Sequence, residues 1–491
     1  MAQSSDASTA QGDMAGSIGD VCPPINGAVS IGGDPLRGRD PSAPSDAVNL
    51  ADICTAMVGS AILLREQGAS LPEYDEVIAV LSANPELFAA VRGAAFEDLS
   101  EIENLEEYLG VLQQINGEEF QTPQSAVTEM RTATGAAIGA RMAALRLGAG
   151  TGAIAVNLSP DAMAAISGSE AARTSSSLRS QNSAQVSEVF LGRLGVFVTA
   201  DVRFGDKDAT AEADGFDFVA PGVTVGADYR LTDSAVAGLA FTYRRSDIDF
   251  DSSINTASGQ SLDTDSFMIT AYGTTTIGDA AYLEGTVYGG FGDHDSTRRI
   301  VISDTSAIGL SNIDERARAN TDSTQLGFTL GGGYDFTFGA ATVTPMGRIE
   351  YIHSSIDGTT ESGANGLDLA TSDQEIDSFT TQIGLQASYP ISTSFGIISP
   401  YARGEWFHEF LNDNDAPVIR YASDFTTDSS GAPNSEFTIS EEEVDRNYGV
   451  LSGGVTVTLP NGMTGFLEGG ATVGLENYSV FSVAAGVRFT F

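Results

Sequence analysis

The sequence predicts a mainly β protein: a 12-stranded antiparallel transmembrane β-barrel with an internal pore helix, preceded by a small all-α domain. Three observations predict this fold class. Segments after residue 189 alternate apolar with small or polar residues, and their connections alternate between short and long. No run of about 18 apolar residues exists that could cross a membrane as a helix. Strands with lipid on one side and water on the other have this alternation.

The final stretch shows the strand pattern most clearly. Phe481, Val483, Ala485 and Val487 occupy alternate positions, and the intervening residues are small or polar. Twelve such strands are predicted, centred near residues 199, 225, 241, 271, 287, 330, 349, 383, 403, 453, 469 and 485. Long acidic loops are predicted at 205–216, 251–264, 295–320, 357–374 and 412–444. Because short turns face the periplasm in outer-membrane barrels, the first strand is expected to start on that side.

The chain divides into four predicted regions. Residues 1–45, rich in Ala, Ser, Gly, Asp and Pro, form a flexible arm, and residues 46–158 form a helical domain with apolar residues at helical spacing. Residues 159–188 are helical but too polar to face lipid, so they are predicted to thread a water-filled pore. Residues 189–491 form the barrel.

Composition excludes one class of partner. The chain has 66 acids against 24 bases and a net charge of −42, and Lys207 is its only lysine. Nucleic-acid binding is disfavoured because phosphates would be repelled. An acidic, lysine-poor surface is typical of proteins from salty surroundings. An acidic surface that has no relation to the salt concentration is an equally good interpretation.

Two cysteines and the N-terminal residues bear on export. Cys22 and Cys54 favour one disulfide in an exported chain, with two free buried thiols as the alternative. The first residues lack a basic start and an apolar run, so a signal peptide is expected to have been removed if the protein is exported.

Charged residues of both signs fall at strand positions that should face the lumen. They indicate ion pairs between neighbouring strands in a narrow hydrated conduit, which would also stabilise the lumen wall. The predicted lumen-facing residues are Arg203, Asp228, Arg230, Arg244, Glu284, Asp335, Arg348, Glu350, Arg403, Glu405, Glu468 and Arg488.

The sequence gives only weak support for catalytic or metal-binding groups. His294, His353 and His408 each lie near an outer strand end with acids nearby, which could build a hydrolase or zinc site at the rim or be ordinary rim residues. Residues 247–251 and 412–415 resemble calcium loops only superficially, because both lack the required Gly and Glu. No G-x-S-x-G motif occurs. We therefore predict no catalytic residue, no metal and no cofactor.

A helix followed by a barrel that ends on Phe491 resembles the autotransporter β-domain of type V secretion. The resemblance covers about residues 170–491 and rests on the segments 226–231, 332–336, 405–410, 459–462 and 486–491. It implies a barrel of 12 strands with an internal helix and an N-terminal passenger at the cell surface. The barrel-assembly signal of that family would fall on Phe489 and Phe491. The helical domain is then passenger-like, although it lacks the repeats of a β-helical passenger. Ser183 follows Asn182 where some relatives carry a self-cleaving asparagine pair, so the passenger is expected to stay attached.

The predicted function is an outer-membrane autotransporter-like protein that presents its N-terminal region for surface contact or assembly. A porin-type channel with the helical region as a plug or periplasmic domain is the first alternative, and a barrel-rim hydrolase is the second. Expected partners are outer-membrane lipid, the barrel-assembly machinery, and a surface partner or a second copy, with no nucleic acid.

Overall fold

The structure, a computed structural model, describes the barrel region and a few N-terminal residues. The described residues are 58–59, 61–66, 68, 78–79, 82–83, 114, 153–156 and 194–490, except 210–213, 252–256, 279, 303–312, 415–416, 423–435, 439–445 and 460–463. The flexible arm, Cys22 with Cys54, the pore linker with Asn182, and Phe491 lie outside the described residues. So does most of the helical domain.

Eighteen strands are described. They are β1 (Ala153–Val156), β2 (Leu194–Lys207), β3 (Phe216–Arg230), β4 (Ala235–Phe250), β5 (Ser261–Ile277), β6 (Ala281–Ile302), β7 (Ile313–Tyr334), β8 (Phe336–Phe338), β9 (Ala341–Ile356), β10 (Leu369–Thr371), β11 (Gln374–Ser388), β12 (Ile391–Thr393), β13 (Gly396–Asn414), β14 (Val418–Tyr421), β15 (Phe437–Thr438), β16 (Asn447–Thr458), β17 (Thr464–Val473) and β18 (Tyr478–Thr490).

Twelve of these strands close into an antiparallel barrel, which confirms the predicted fold class. Their order around the barrel is β2 to β7, then β9, β11, β13, β16, β17 and β18, with each strand antiparallel to the next. The barrel closes where Tyr478–Ala484 of β18 pair with Asp201–Lys207 of β2. The internal pore helix and the all-α domain stay predictions.

The short strand β1 occupies the other half of the junction between β18 and β2, which we call the seam. Towards the short-turn end, β1 pairs antiparallel with β18 and parallel with β2, so that Ile154 lies opposite both Phe489 and Val196. Residues 153–156 therefore form a strand inside the region predicted to be helical. The physical reason is that the two barrel edges here would otherwise present unpaired backbone groups.

The outward face of the barrel is apolar and is bounded by aromatic residues. Ile269, Leu239 and Val287 are 63%, 62% and 58% exposed, as side chains in contact with lipid would be. Towards the long loops, outward aromatic rings pack across strands, as Phe267 does with Phe291 at a centroid distance of 5.2 Å. We call this band the outer girdle; its rings are Phe204, Phe241, Tyr243, Phe267, Phe291, Phe328, Tyr351, Phe379, Phe410 and Phe481.

Beyond the outer girdle the alternation of the strands inverts. On β4 the outward positions change from Phe241 and Tyr243 to Arg245 and Asp247, while the inward positions change from Thr242 to the buried Ile248. The same inversion occurs in β3 and β5, and the outward positions of β6 and β7 likewise become polar. These strands therefore leave the membrane and continue in water, with an apolar inner face on β3, β4 and β5.

All five predicted loops contain strand residues, and the predicted loops 357–374 and 412–444 include β10, β14, β15 and the end of β13. The predicted loop 295–320 contains the outer ends of β6 and β7, which pair from Asp295–Asn320 to Ile302–Ile313. Strands also occupy the first residues of the predicted loop 205–216 and the last residues of 251–264. The segment resembling a calcium loop at 247–251 is the outer end of β4, with Ile248 and Phe250 turned inward.

A small sheet covers one side of the outer end. β10, β14 and β15 form an antiparallel three-stranded sheet whose apolar side chains, apart from Val418, are buried. We call the sheet and residues 360–371 the outer cap; its buried apolar residues are Ala364, Leu367, Leu369, Ala370, Ile419, Tyr421 and Phe437.

The described N-terminal residues are mostly helical. Residues 61–66 are helical, and Ala61, Ile62 and Leu64 are at most 2% exposed, so this short segment has a buried apolar face. Among the described residues, no helix is both long and apolar enough to cross a membrane.

Candidate functional site

Charged and hydroxyl side chains line the inside of the barrel at the level of the membrane. Arg244 on β4 is 2% exposed, and its Nη2 donates to Asp201 Oδ2 on β2 at 2.7 Å. Its Nη1 donates to the carbonyl of Ala220 at 2.5 Å. The guanidinium crosses β3 over Gly222, where a Cβ atom would lie 2.5 Å from Nη2. A larger residue at 222 would therefore displace the ion pair.

Two other lumenal ion pairs cross an intervening strand in the same way. Arg348 Nη2 on β9 donates to Glu284 Oε1 on β6 at 2.9 Å. Arg403 on β13 lies 3.2 Å from Glu405 on its own strand and 3.5 Å from Glu468 on β17. The Arg348–Glu284 and Arg403–Glu468 pairs each join two strands that are separated by a third strand. The lumen wall is therefore held together by ion pairs as well as by the backbone hydrogen bonds between neighbouring strands.

Lumenal tyrosines follow the same geometry. Each tyrosine ring lies over an inward glycine of the neighbouring strand, and its hydroxyl donates to an acid one strand further along. The three sets are Tyr272–Gly238–Asp228, Tyr288–Gly327–Glu350 and Tyr401–Gly454–Glu468. The glycines allow this close approach, because a Cβ atom at Gly327 would lie 2.5 Å from the ring of Tyr288.

Replacing Gly327 with Ala is expected to destabilise the barrel by about 1–3 kcal/mol, because the new methyl group must displace the ring of Tyr288. Gly289→Ala is the matched control, since its Cβ atom would lie 3.7 Å from the nearest atom. Urea unfolding of both variants in detergent micelles measures the difference. Equal stability of the two variants would contradict the packing argument.

The other predicted lumenal residues lie at the edges of this network. Arg203 is on the inward-facing set of β2, and Arg230 donates to the carbonyl of Asp233 at 3.3 Å in the first short turn. Asp335 accepts from Thr344 Oγ1 at 2.6 Å between β7 and β8. The backbone of Arg488 pairs with that of Ala155 in the seam.

The structure does not bring the three histidines together. His294 faces inward and is buried, with Nδ1 2.9 Å from Thr264 Oγ1 and Nε2 2.8 Å from Ser323 Oγ. His353 and His408 are on the outward-facing sets of β9 and β13, where they contact Asp377 at 3.1 Å and Asn447 at 2.8 Å. A hydrolase or zinc site that uses all three histidines therefore has no geometric basis.

His294 lies just beyond the outer girdle, where the outward neighbours Asp293 and Asp295 are already in water. Burial lowers the pKa of its imidazole to about 4, although the nearby carboxylates of Asp293 and Asp322 act in the opposite direction. The ring is therefore neutral at pH 7 and joins β5, β6 and β7 through hydrogen bonds. Within the described part of the chain, no three His, Cys, Asp or Glu side chains are grouped so that they could hold a metal ion.

A buried ion pair joins the barrel wall to the outer cap. Arg298 on β6 and Glu361 are both 2% exposed, and two hydrogen bonds of 2.9 and 2.5 Å link the guanidinium to the carboxylate. Arg298 Nη2 also donates to the carbonyl of Leu367 at 2.8 Å, and Glu361 Oε2 accepts from the backbone of Leu369 at 2.8 Å. Burial in the same cap raises the pKa of the Tyr421 hydroxyl. The cap is thus fixed to the wall by one fully hydrogen-bonded charge pair.

Another donor of Arg298 contacts the N-terminal region. Its Nη1 donates to the carbonyl of Gln114 at 3.0 Å, and the backbone N–H of Val301 donates to Gln114 Oε1 at 2.8 Å. Gln114 is helical and half-buried. A residue 184 positions before Arg298 is therefore held at the long-loop end of the barrel.

Sequence reasoning did not include the tyrosines that complete this arrangement among the lumenal residues. Tyr272 and Tyr288 have the inward parity of their strands, so an extension of the parity rule to tyrosine would have found them. Arg298 and Glu361 fell in predicted loops, and no local pattern joins residues 63 positions apart.

The closed wall, the lipid-facing apolar band and the charged lumen define a transmembrane β-barrel of the outer-membrane type. A sequence model of the family described as Autotransporter beta-domain matches residues 196–470. The chain belongs to this family, which confirms the suspected resemblance and makes the barrel an outer-membrane translocator domain of type V secretion.

Solved structures of autotransporter domains are similar to this chain at low identity. The translocator domain of NalP from Neisseria meningitidis matches with 17% identity and a TM-score of 0.46, over 61% of this chain and 88% of that one. The β-domain of the Bordetella autotransporter Brka matches with 17% identity and a TM-score of 0.41, over 60% and 99%. The transport unit of AIDA-I from Escherichia coli matches with 16% identity and a TM-score of 0.36, over 65% and 94%. No curated protein sequence matches the chain.

Proposed function

We propose that this outer-membrane barrel presents the helical N-terminal region at the cell surface and keeps it attached for surface contact or assembly. The hydrogen bonds of Gln114 to Arg298 and Val301 carry the proposal, because they hold a residue of that region at the long-loop end. Long loops of outer-membrane barrels face the outside of the cell.

The direction of the first barrel strand supports the same topology. Leu194 starts β2 at the short-turn end, opposite Tyr229 near the first short turn. The chain between Gln114 and Ala153 therefore joins the two ends of the barrel, because β1 already lies at the short-turn end. The charged and hydroxyl-lined lumen suits the passage of a polar segment through it.

Epitope tags test the proposal in intact cells. We expect a tag placed before residue 46 to be accessible to antibody, and a tag between Thr232 and Asp233 in a short turn to be accessible only after the outer membrane is permeabilised. Protease treatment of intact cells should likewise reach residues 46–150. If both tags need permeabilised cells, surface presentation is wrong and the periplasmic-domain alternative takes its place.

Further expectations follow from the same topology. We propose that lipid covers the outward apolar band, that the assembly machinery recognises Phe489 and Phe491, and that a surface partner or a second copy contacts the N-terminal region. Binding of nucleic acid is not expected at a net charge of −42. We also propose that the attached region has no catalytic role, in keeping with a translocator barrel.

A further inference from the structure

We infer that a polar cleft on the outer cap binds a neutral saccharide at the cell surface. The cleft has a volume of about 530 Å³ and lies at the long-loop end of the barrel. Pockets that hold small ligands in proteins measure about 300–1,000 Å³, so this one is large enough. We call it the cap cleft; the polar residues that carry the inference are Thr359, Thr371, Ser372, Asp373, Arg420 and Glu436. The site belongs to the barrel itself and is separate from the proposed display of the N-terminal region.

The first wall of the cap cleft consists of two segments that lie in contact, residues 358–360 and 371–373. The backbone N–H of Thr371 donates to the carbonyl of Thr359 at 2.8 Å. A Cβ atom at Gly358 would lie 2.6 Å from the carbonyl oxygen of Thr371, which shows how closely the segments approach. This wall is therefore ordered before a ligand binds, which lowers the entropic cost of binding.

The second wall is one face of the small sheet. Ile419 of β14 pairs with Phe437 of β15, so that Arg420 and Glu436 lie opposite each other one residue further along. Among the described residues, the guanidinium of Arg420 makes one hydrogen bond, from Nη1 to the carbonyl of Tyr421 at 3.3 Å. Both Arg420 and Glu436 line the cleft, so the second wall offers N–H donors and a carboxylate acceptor to a ligand.

Two hydroxyl groups of the first wall add further donors. Thr371 Oγ1 accepts from the backbone N–H of Thr359 at 3.2 Å, and Ser372 Oγ accepts from the backbone N–H of Val418 at 3.1 Å. Each hydroxyl therefore keeps its own proton for another acceptor. The backbone N–H of Ser372 also donates to the carbonyl of Val418 at 2.9 Å, so these bonds join the two walls.

The charges of the cap cleft indicate the class of ligand. Arg420 carries a positive charge, whereas Glu436 and Asp373 carry negative charges. Asp373 Oδ1 accepts from the backbone N–H of Gly358 at 2.7 Å, and Oδ2 is a second acceptor on the same carboxylate. An anion would meet two carboxylates, a cation would meet the guanidinium, and an apolar ligand would desolvate all three charged groups. A saccharide is neutral, and each of its hydroxyls both donates and accepts, so it can bond to both walls.

An array of neutral hexose and N-acetylhexosamine oligosaccharides, probed with the full chain, tests the assignment. The protein is kept in a detergent without a sugar headgroup, because a glycoside detergent would compete for the cleft. We expect binding to at least one saccharide, and Arg420→Ala should weaken it at least about tenfold. Arg245→Ala is the matched control, since Arg245 is an exposed arginine that pairs with Asp247 on the outer side of β4. Binding to no saccharide, unchanged binding by Arg420→Ala, or an equal loss in both variants would overturn the assignment.

Glu436→Gln tests whether the ligand is neutral and leaves Arg420 in place. Glutamine keeps an oxygen acceptor and removes the charge, so the affinity for a neutral saccharide should change by less than about threefold. Binding should also be insensitive to added salt, which screens charged contacts. A gain of about tenfold would indicate an anionic ligand and a loss of about tenfold a cationic one, and either result would refute the neutral class.

The same array separates two sources of the saccharide. Oligosaccharides released from the envelope of the producing cell and oligosaccharides foreign to that cell are printed apart. A signal on the first set makes the ligand the cell's own surface glycan, and a signal on the second set makes it the glycan of another surface. Both results support the cleft. The measurement uses purified protein, so a tag that is hidden in intact cells refutes display of the N-terminal region, whereas an array without signal refutes the cleft.

Discussion

Arg298→Ala is expected to detach the outer cap while leaving the membrane-embedded barrel folded. The substitution leaves the carboxylate of Glu361 buried without its partner, which costs about 3–5 kcal/mol in comparable buried pairs. The carbonyls of Leu367 and Gln114 also lose their donor. Hydrogen exchange measured by mass spectrometry should show faster exchange in residues 360–371 and 296–302, with no change in β16 to β18.

Arg299→Ala is the matched control for this experiment. Arg299 is the next residue, faces outward and pairs with the exposed Asp314 at 2.9 Å. Exposed pairs of this kind contribute about 0–1 kcal/mol, so exchange should stay close to that of the wild type. If the two variants exchange alike, the buried pair does not hold the cap.

Acidification is expected to loosen the outer ends of β5, β6 and β7 through His294. The imidazole has a pKa of about 4 in the folded protein against 6.5 for an unperturbed histidine, because burial disfavours the charged ring. Between these two values the unfolded chain binds a proton that the folded chain does not. Stability is therefore complete above about pH 6.5 and falls towards pH 4, by roughly 3 kcal/mol in total.

His294→Gln should remove most of this pH dependence, because glutamine stays neutral while its amide can still bond Thr264 and Ser323. Hydrogen exchange of residues 290–330 at pH 7.5 and pH 4.5 measures the effect. His408→Gln is the control, since His408 lies on the outward-facing set of β13. A wild-type protein whose exchange pattern is the same at both pH values, once corrected for intrinsic exchange rates, would contradict the prediction.

Most of the barrel could be predicted because the lipid imposes a simple rule on its strands. Outward residues such as Leu239 and Ile269 must be apolar, while inward ones such as Thr242 and Thr270 need not be. Beyond the outer girdle the rule reverses, and Ile248 and Phe250 turn inward while Asp247 and Asp249 face water. A pattern that changes sign within one strand reads as the end of that strand, which explains why loops were predicted there.

The presence of charged residues in the lumen could be predicted from the sequence, but the pairs that they form could not. Parity identified Arg244, Arg348 and Glu284 as lumenal, yet it does not show that Arg244 pairs with Asp201 or that Arg348 pairs with Glu284. Which residues pair across an intervening strand depends on the register of the barrel strands and on an inward glycine that lies between the two partners. A single sequence shows neither the register nor which glycine lies between two given partners. The cap and the Gln114 contact depend on loops that return from distant parts of the chain, so only the structure reveals them.

The strand ends that extend beyond the outer girdle also separate charged groups from the membrane surface. The nine residues of β6 after Asp293 extend roughly 30 Å along the strand, or about 20 Å along the membrane normal at a 45° tilt. The Debye length at physiological ionic strength is about 8 Å. Repulsion between an acidic surface region and anionic headgroups is screened to about a tenth over this height. The tall β6–β7 hairpin thus acts as an electrostatic spacer between the charged groups at its tip and the headgroups of the membrane.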